Sequence, residues 1–247
     1  MLVEQTLEKL AAMKLHGMAT ELRRLTAVPD TNLTPFDVVG LLADAEWTHR
    51  DNKRLTSRLR QARFGVSASV EEIDYSLAKG LKKSEILDLA TCGWLEASNN
   101  VILTGPTGVG KSFLACALGQ RACRLGFSVV YRRASRLFDE AAQARADGTF
   151  PVLLRRLAKT RLLILDDFAL EPLGAPERKV LLEILEDRYG QSSTIVTSQL
   201  DPSKWHAIIG DPTLADAISD RLVHNAHRLN LQGESIRKLK ASRKPPR

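Results

Sequence analysis

Apolar positions along the chain follow two rhythms. Leu7, Leu10, Met13, Leu15, Met18, Leu22 and Leu25 trace one helical stripe, which predicts an amphipathic helix over Leu2 to Leu25. Val28-Pro29-Asp30 breaks it. Thr34 is placed to cap a second helix, with Pro35 in its first turn. That helix is expected to run to about Arg63, with Phe36, Val39, Leu42 and Trp47 on its apolar face and a basic later part, Arg50, Lys53, Arg54, Arg58, Arg60 and Arg63. A further short helix is expected near Lys82 to Leu89. From Asn99 onward short apolar runs alternate with helical spacing. Val101-Ile102-Leu103, Val129-Val130-Tyr131, Leu162-Leu163-Ile164-Leu165 and Thr194-Ile195-Val196-Thr197 read as buried strands, and His227 to Leu231 as a last one. Helices are expected between them, among them Ala134 to Ala146, Pro176 to Tyr189, Pro202 to Ile209 and Leu214 to Val223. Repeated β-α units imply a parallel sheet covered on both faces. The expected division is a helical domain over residues 1–65, a linker and lead-in helix over 66–98, an α/β core over 99–237 and a basic tail over 238–247.

The first strand runs into a glycine-rich loop, Gly105-Pro106-Thr107-Gly108-Val109-Gly110-Lys111-Ser112, and a helical segment opens at about Phe113. Strand, G-x-x-x-x-G-K-[ST] loop and helix form a phosphate-binding arrangement. The glycines permit backbone that turns successive N–H groups toward phosphate oxygens. The helix adds its positive N-terminal end. Lys111 supplies charge to β- and γ-phosphates, and Ser112 a hydroxyl to Mg²⁺. The run Leu162 to Asp167 is the natural partner. An apolar strand delivers Asp166 to hold Mg²⁺ through its water shell, the Walker B role, and Asp167 to orient the attacking water. Asp167 stands where many such ATPases carry the longer Glu, so ATP hydrolysis is expected to be slow. Ser198 and Gln199 end the next strand, and either can serve as the polar group called sensor 1. Arg221 and Arg237 read, on pattern alone, as surface or salt-bridge arginines. Adenine contacts are expected near Ile86 to Asn100, just before the first strand.

The net charge of +7 makes an anionic partner plausible. The excess is local, concentrated over Arg121 to Arg161 and Arg221 to Arg247, and basic clusters on a nucleotide-binding domain point to nucleic acid. Cys92, Cys116 and Cys123 lack metal-ligand spacing and are expected as small buried residues in a reducing cytoplasm. No long apolar span or signal peptide is evident, so a cytoplasmic protein is expected.

GPTGVGKS, LLILDDF, TSQLDPSKWH, DPTLADAISDRLVHNAH and GESIRK, in that order and spacing, resemble the IstB family. Its members are AAA+ ATPases that assist the transposase of IS21-type insertion sequences, and they are related to DnaC-type helicase loaders. The resemblance covers nearly the whole chain. It implies an AAA+ P-loop core behind a small all-α domain, with the helical lid reduced or absent because little chain follows Arg237. It also implies Arg221 as an arginine finger reaching a neighbouring subunit's ATP, Arg237 as sensor 2, ATP-dependent homo-oligomers, duplex DNA bound without strong sequence preference, and recruitment of the transposase. Ala169 stands where relatives often have Gly, for which a local backbone effect is expected. A helicase loader acting on single-stranded DNA would share the same core. A small-molecule P-loop kinase would need a lid and an acceptor pocket that the sequence does not show.

Overall fold

A computed structural model describes residues 2–27, 32–75 and 80–235. The expected break at Pro29-Asp30, Arg237 and the basic tail lie outside the described residues. The chain divides into two compact units, Met1–Ser57 and Arg58–Arg247.

The first unit contains α1 (Leu2–Ala12), α2 (His16–Ala27) and most of α3 (Pro35–Ala62). The single helix expected over Leu2 to Leu25 is therefore two. Lys14 adopts a left-handed φ of 60°, Lys14 N–H donates to Ala11 O at 2.9 Å and Leu15 N–H to Leu10 O at 2.8 Å. These paired bonds close a helix C-terminus that is usually marked by glycine, so the apolar stripe read straight through it. Glu46 then caps α2: its carboxylate accepts from Gly17 N–H at 2.8 Å and Met18 N–H at 3.3 Å. The Arg50 guanidinium, 2.7 Å away, and these amides hold the Glu46 carboxyl below the usual carboxylate range. Gly17 permits the crossing, because a Cβ there would meet Ala45 O at 2.4 Å. The α3 cap matches the sequence reading: Asp37 N–H donates to Thr34 Oγ1, and the Asp37 carboxylate accepts the Thr34 N–H. Phe36, Val39 and Trp47 are exposed, Phe36 at 88%.

In the second unit, a short 3-10 turn at Val70–Glu72, α4 (Lys83–Thr91) and α5 (Gly93–Glu96) precede the sheet. The strands are β1 (Asn100–Thr104), β2 (Val129–Arg133), β3 (Leu162–Phe168), β4 (Ser193–Ser198) and β5 (Ala226–Asn230). They pair in the order β2-β3-β4-β1-β5, all parallel. Helices α6 (Lys111–Arg124), α7 (Ala134–Ala146), α8 (Phe150–Lys159), α9 (Ala175–Arg188), α10 (Trp205–Ile209) and α11 (Pro212–Val223) complete the α/β units. Pro202 to Ile209, expected as one helix, is a 3-10 turn at Pro202–Lys204 leading into α10. All residues of β1 and β4 are buried, as sheets covered on both faces require. Phe168 meets Trp205 edge-on at 4.9 Å in the core. The three cysteines are buried and free, and burial pushes their thiols up to about 11. Among the described residues no helix is long and apolar enough to cross a membrane.

Two buried polar side chains fasten the edge of the sheet where β1 and β4 begin. Asn100 accepts from Thr194 N–H at 2.8 Å and donates to Arg221 O, Leu222 O and Asn225 Oδ1. Arg188 donates to Leu157 O and Thr160 O at the end of α8, and to Ser193 O and Thr194 Oγ1 at the start of β4. Asn100→Ala would strand Thr194 N–H and the end of α11. The expected loss is roughly 2–3 kcal/mol in urea unfolding, the cost of leaving buried polar groups unpaired; an unchanged midpoint and slope would contradict this role.

Candidate functional site

The sheet's parallel order brings the C-terminal ends of β1, β3 and β4 to one edge, where open α/β sheets bind ligands. A cavity of about 490 Å³ opens there. Thr107, Gly108, Val109, Gly110, Lys111, Ser112 and Phe113 line it, together with Asp166, Asp167, Tyr131, Arg133 and Gln199. Gly105 and Pro106 do not line it but hold its lysine: Lys111 Nζ donates to Gly105 O at 2.7 Å and Pro106 O at 2.8 Å. Phosphate oxygens would compete for the same protons. Burial pulls the Lys111 ammonium below the ordinary lysine value, and the Asp167 and Asp166 carboxylates push back.

The loop's shape depends on glycine at two close approaches. Gly105 has φ +140°, and a Cβ there would meet Leu231 O at 2.2 Å. Gly108 has φ +87°, and a Cβ there would meet Ser235 Oγ at 2.3 Å. The segment after β5 thus lies directly on the loop, and Leu231 N–H donates to Thr104 O at 2.8 Å.

Asp166 is 1% exposed. Its Oδ1 accepts from Ser112 Oγ at 2.8 Å and Thr197 Oγ1 at 2.5 Å, and its Oδ2 from the Tyr131 phenol at 2.6 Å. Neighbouring residues of a regular strand point to opposite faces. Both aspartates nevertheless line the cavity, because the β3–β4 register shifts between Leu165 and Phe168 and Asp167 takes a left-handed φ of 57°. Thr197 Oγ1 accepts the Asp167 N–H at 3.0 Å, and Arg133 Nε lies 3.9 Å from Asp167 Oδ2. Ala169 is also left-handed, at φ 59°, in the region that favours glycine. Ser112 and Asp166 present adjacent hard oxygen donors of the kind Mg²⁺ takes directly or through its waters, so the residues fit that ion.

Of the two sensor 1 candidates, Gln199 lines the cavity. Ser198 is fully buried, and its hydroxyl is committed to Phe168 O, Leu200 N–H and Trp205 Nε1. The segment Ile86 to Asn100 contributes no lining residue. Among the described residues Gly65, Val66, Glu72, Ile73, Asp74 and Leu81 form the wall beside the loop instead, while Ile86, Leu89 and Leu95 are buried in the core. Tyr131 and Arg133 also line the cavity, although the sequence pattern does not single them out. They sit two apart on β2 and share a face, a period-two signal hidden by reading the strand as an apolar run. Burial, then its bond to Asp166, pushes the Tyr131 phenol well above the ordinary tyrosine value.

Arg221 does not join this group. Its carbonyl is held by Asn100 at the beginning of β1, whereas the phosphate loop follows that strand's end. At about 3.3 Å per residue the two ends are roughly 13 Å apart. The guanidinium bonds to Ala217 O at 2.9 Å and to Glu186 Oε1 at 3.1 Å.

The sequence model of the IstB-like ATP binding protein family matches residues 8–244. The chain is 50% identical over 239 residues, 96% of its length and 98% of the relative's, to the insertion-sequence protein y4pL of Sinorhizobium fredii, which is named for ATP binding. It is 34% identical over 242 residues, 98% of its length and 90% of the relative's, to the similarly named protein of insertion sequence IS21 in Pseudomonas aeruginosa. In fold it is similar to the DnaC helicase loader, with a TM-score of 0.57 at 18% identity over 67% of this chain and 97% of that one. A match spanning nearly the whole chain, on a parallel α/β core with a phosphate-binding loop, places it plainly: the chain belongs to the IstB-like ATP binding protein family.

Proposed function

We propose that this protein is a Mg²⁺-dependent ATPase of insertion-sequence transposition that assembles on duplex DNA and recruits an IS21-type transposase. The observation that carries the reading is the convergence of Lys111, Ser112, Asp166, Asp167 and Gln199 on one cavity, inside a chain of this family. In this reading the N–H groups of Thr107 to Ser112 and the start of α6 cradle the phosphates. Lys111 exchanges its carbonyl partners for β- and γ-phosphate oxygens. Ser112 and Asp166 hold Mg²⁺, which when bound neutralises charge on the phosphates. Asp167 orients water toward the γ-phosphorus. The water oxygen forms the new bond, the bond to the β–γ bridging oxygen breaks, and ADP and phosphate leave. Asp167 is one methylene shorter than glutamate, so turnover is slow. Gln199, which lines the cavity, takes the sensor 1 part, and the wall formed by Gly65, Val66, Glu72, Ile73, Asp74 and Leu81 receives the adenine. The helicase-loader reading shares this core and differs in DNA preference and in the partner of the helical residues 1–65.

Arg221 lies too far from the cavity of its own subunit to serve it, which supports its role as a finger in trans. Arg237 would act in cis: it follows two residues after Ser235, which packs against Gly108. ATP shared between subunits makes nucleotide binding drive assembly. Assembly multiplies basic surfaces along one duplex and yields tight, salt-sensitive binding without base readout.

Lys111→Ala is expected to weaken ATP binding roughly 10–100-fold, the worth of charged hydrogen bonds to phosphate, and to abolish ATP-dependent assembly on DNA. Titration with a fluorescent ATP analogue and sedimentation check this, and assembly retained at parental ATP concentration would contradict it. Arg221→Ala should bind ATP within about threefold of the parent, since the change lies outside the cavity, while ATP turnover falls by on the order of 10³ and oligomers disappear. Parental turnover in that variant would sink the finger assignment.

A further inference from the structure

Tyr131 lies on the edge strand β2, yet its phenol donates to the buried Asp166 Oδ2 at 2.6 Å. The bond divides the carboxylate between two supports. Ser112 and Thr197 both address Oδ1; among the described residues Tyr131 is the partner of Oδ2. The terminal torsion of an aspartate is broad, so a carboxylate held through one oxygen can still turn its plane. Held through both, it cannot.

The support is itself rigid. Tyr131 is 7% exposed, and its ring lies so close to Gly65 that a Cβ there would meet the phenol oxygen at 2.5 Å. The register pairs Arg133 with Asp166 and Tyr131 with Ile164, so Tyr131 reaches along the strand to the carboxylate from a fixed point on the sheet. The plane of Asp166 in turn decides where the Ser112 hydroxyl sends its proton, and therefore where its lone pairs point. A hydroxyl that donates to Asp166 Oδ1 keeps those lone pairs for a cation.

We propose that Tyr131 is a positioning residue for Mg²⁺: by holding Asp166 Oδ2 it fixes the carboxylate that receives Ser112 Oγ, and so sets the affinity of the site for the Mg²⁺ that accompanies ATP. The inference rests on the ATP reading above. It extends the site to β2, whose residues touch neither phosphate loop nor nucleotide chemistry in the sequence reading. A tyrosine that only fills the core would affect stability and leave the Mg²⁺ requirement alone.

Tyr131→Phe removes the hydroxyl and keeps the ring. In the full chain, anisotropy of a fluorescent ATP analogue gives nucleotide affinity without Mg²⁺ and then the Mg²⁺ concentration that half-saturates the gain in affinity. ATPase assays across the same Mg²⁺ series give kcat. The expected result is parental Mg²⁺-free affinity, a half-saturating Mg²⁺ concentration raised roughly tenfold, the usual scale for losing a partner of a metal-holding group, and kcat restored at high Mg²⁺. A half-saturating Mg²⁺ concentration equal to the parent's overturns the proposal, whatever happens to the melting temperature. A parent chain that binds no nucleotide overturns the ATP reading itself, and this inference with it.

Discussion

The charge on Asp166 is the constraint around which the second unit is arranged. A carboxylate 1% exposed is costly to bury unless every oxygen is hydrogen-bonded. Here the donors come from three separate elements: Ser112 from α6, Tyr131 from β2 and Thr197 from β4. All three must arrive in the right register at once. A one-residue slip of β2 would turn Tyr131 to the other face of the sheet and leave Oδ2 with nothing. The same geometry places Lys111 beside the aspartates, its ammonium drawn down by burial and supported by their charge. Fold and site are therefore one arrangement, since the contacts that satisfy a buried charge also aim the groups that would meet a phosphate chain and its cation.

The opposite edge of the sheet is built from different materials. Asn100 and Arg188 satisfy the backbone where strands begin and helices end, and Asn100 holds the end of α11 from which Arg221 projects. The length of β1 separates the phosphate loop at one edge of the sheet from Arg221 at the other. In the proposed assembly the arginine of one copy would complete the site of the next. Within the chain, Glu186 partners its guanidinium.

Much of this was legible in the sequence. The strand cores, the phosphate loop and the Asp166-Asp167 pair are set by local apolar runs and a fixed spacing, and they appear where those signals put them. What escaped has a physical reason in each case. The left-handed turn at Lys14 uses a residue that carries no turn signature, so α1 and α2 looked continuous. The inward turn of Asp167 depends on a shift of register against β4, which is a relation between strands and not a property of one. Tyr131 reads as an apolar strand residue because only its tip is polar, and the bond that matters spans 35 positions. The choice of Gln199 over Ser198 as the residue facing the cavity depends on Trp205 and Phe168 closing around the serine hydroxyl. The wall formed by Gly65, Val66, Glu72, Ile73, Asp74 and Leu81 comes from a stretch that the sequence pattern marks as a linker and lead-in, with no ligand signature.

In the proposed function, ATP at this cavity drives the chain to assemble on duplex DNA. Sedimentation of the purified protein with duplex or single-stranded DNA, each with and without ATP and Mg²⁺, tests it most directly. Large assemblies that form on duplex only when ATP and Mg²⁺ are present are the predicted result. Binding confined to single strands, or no dependence on nucleotide, would contradict the claim and favour a loader of another machine.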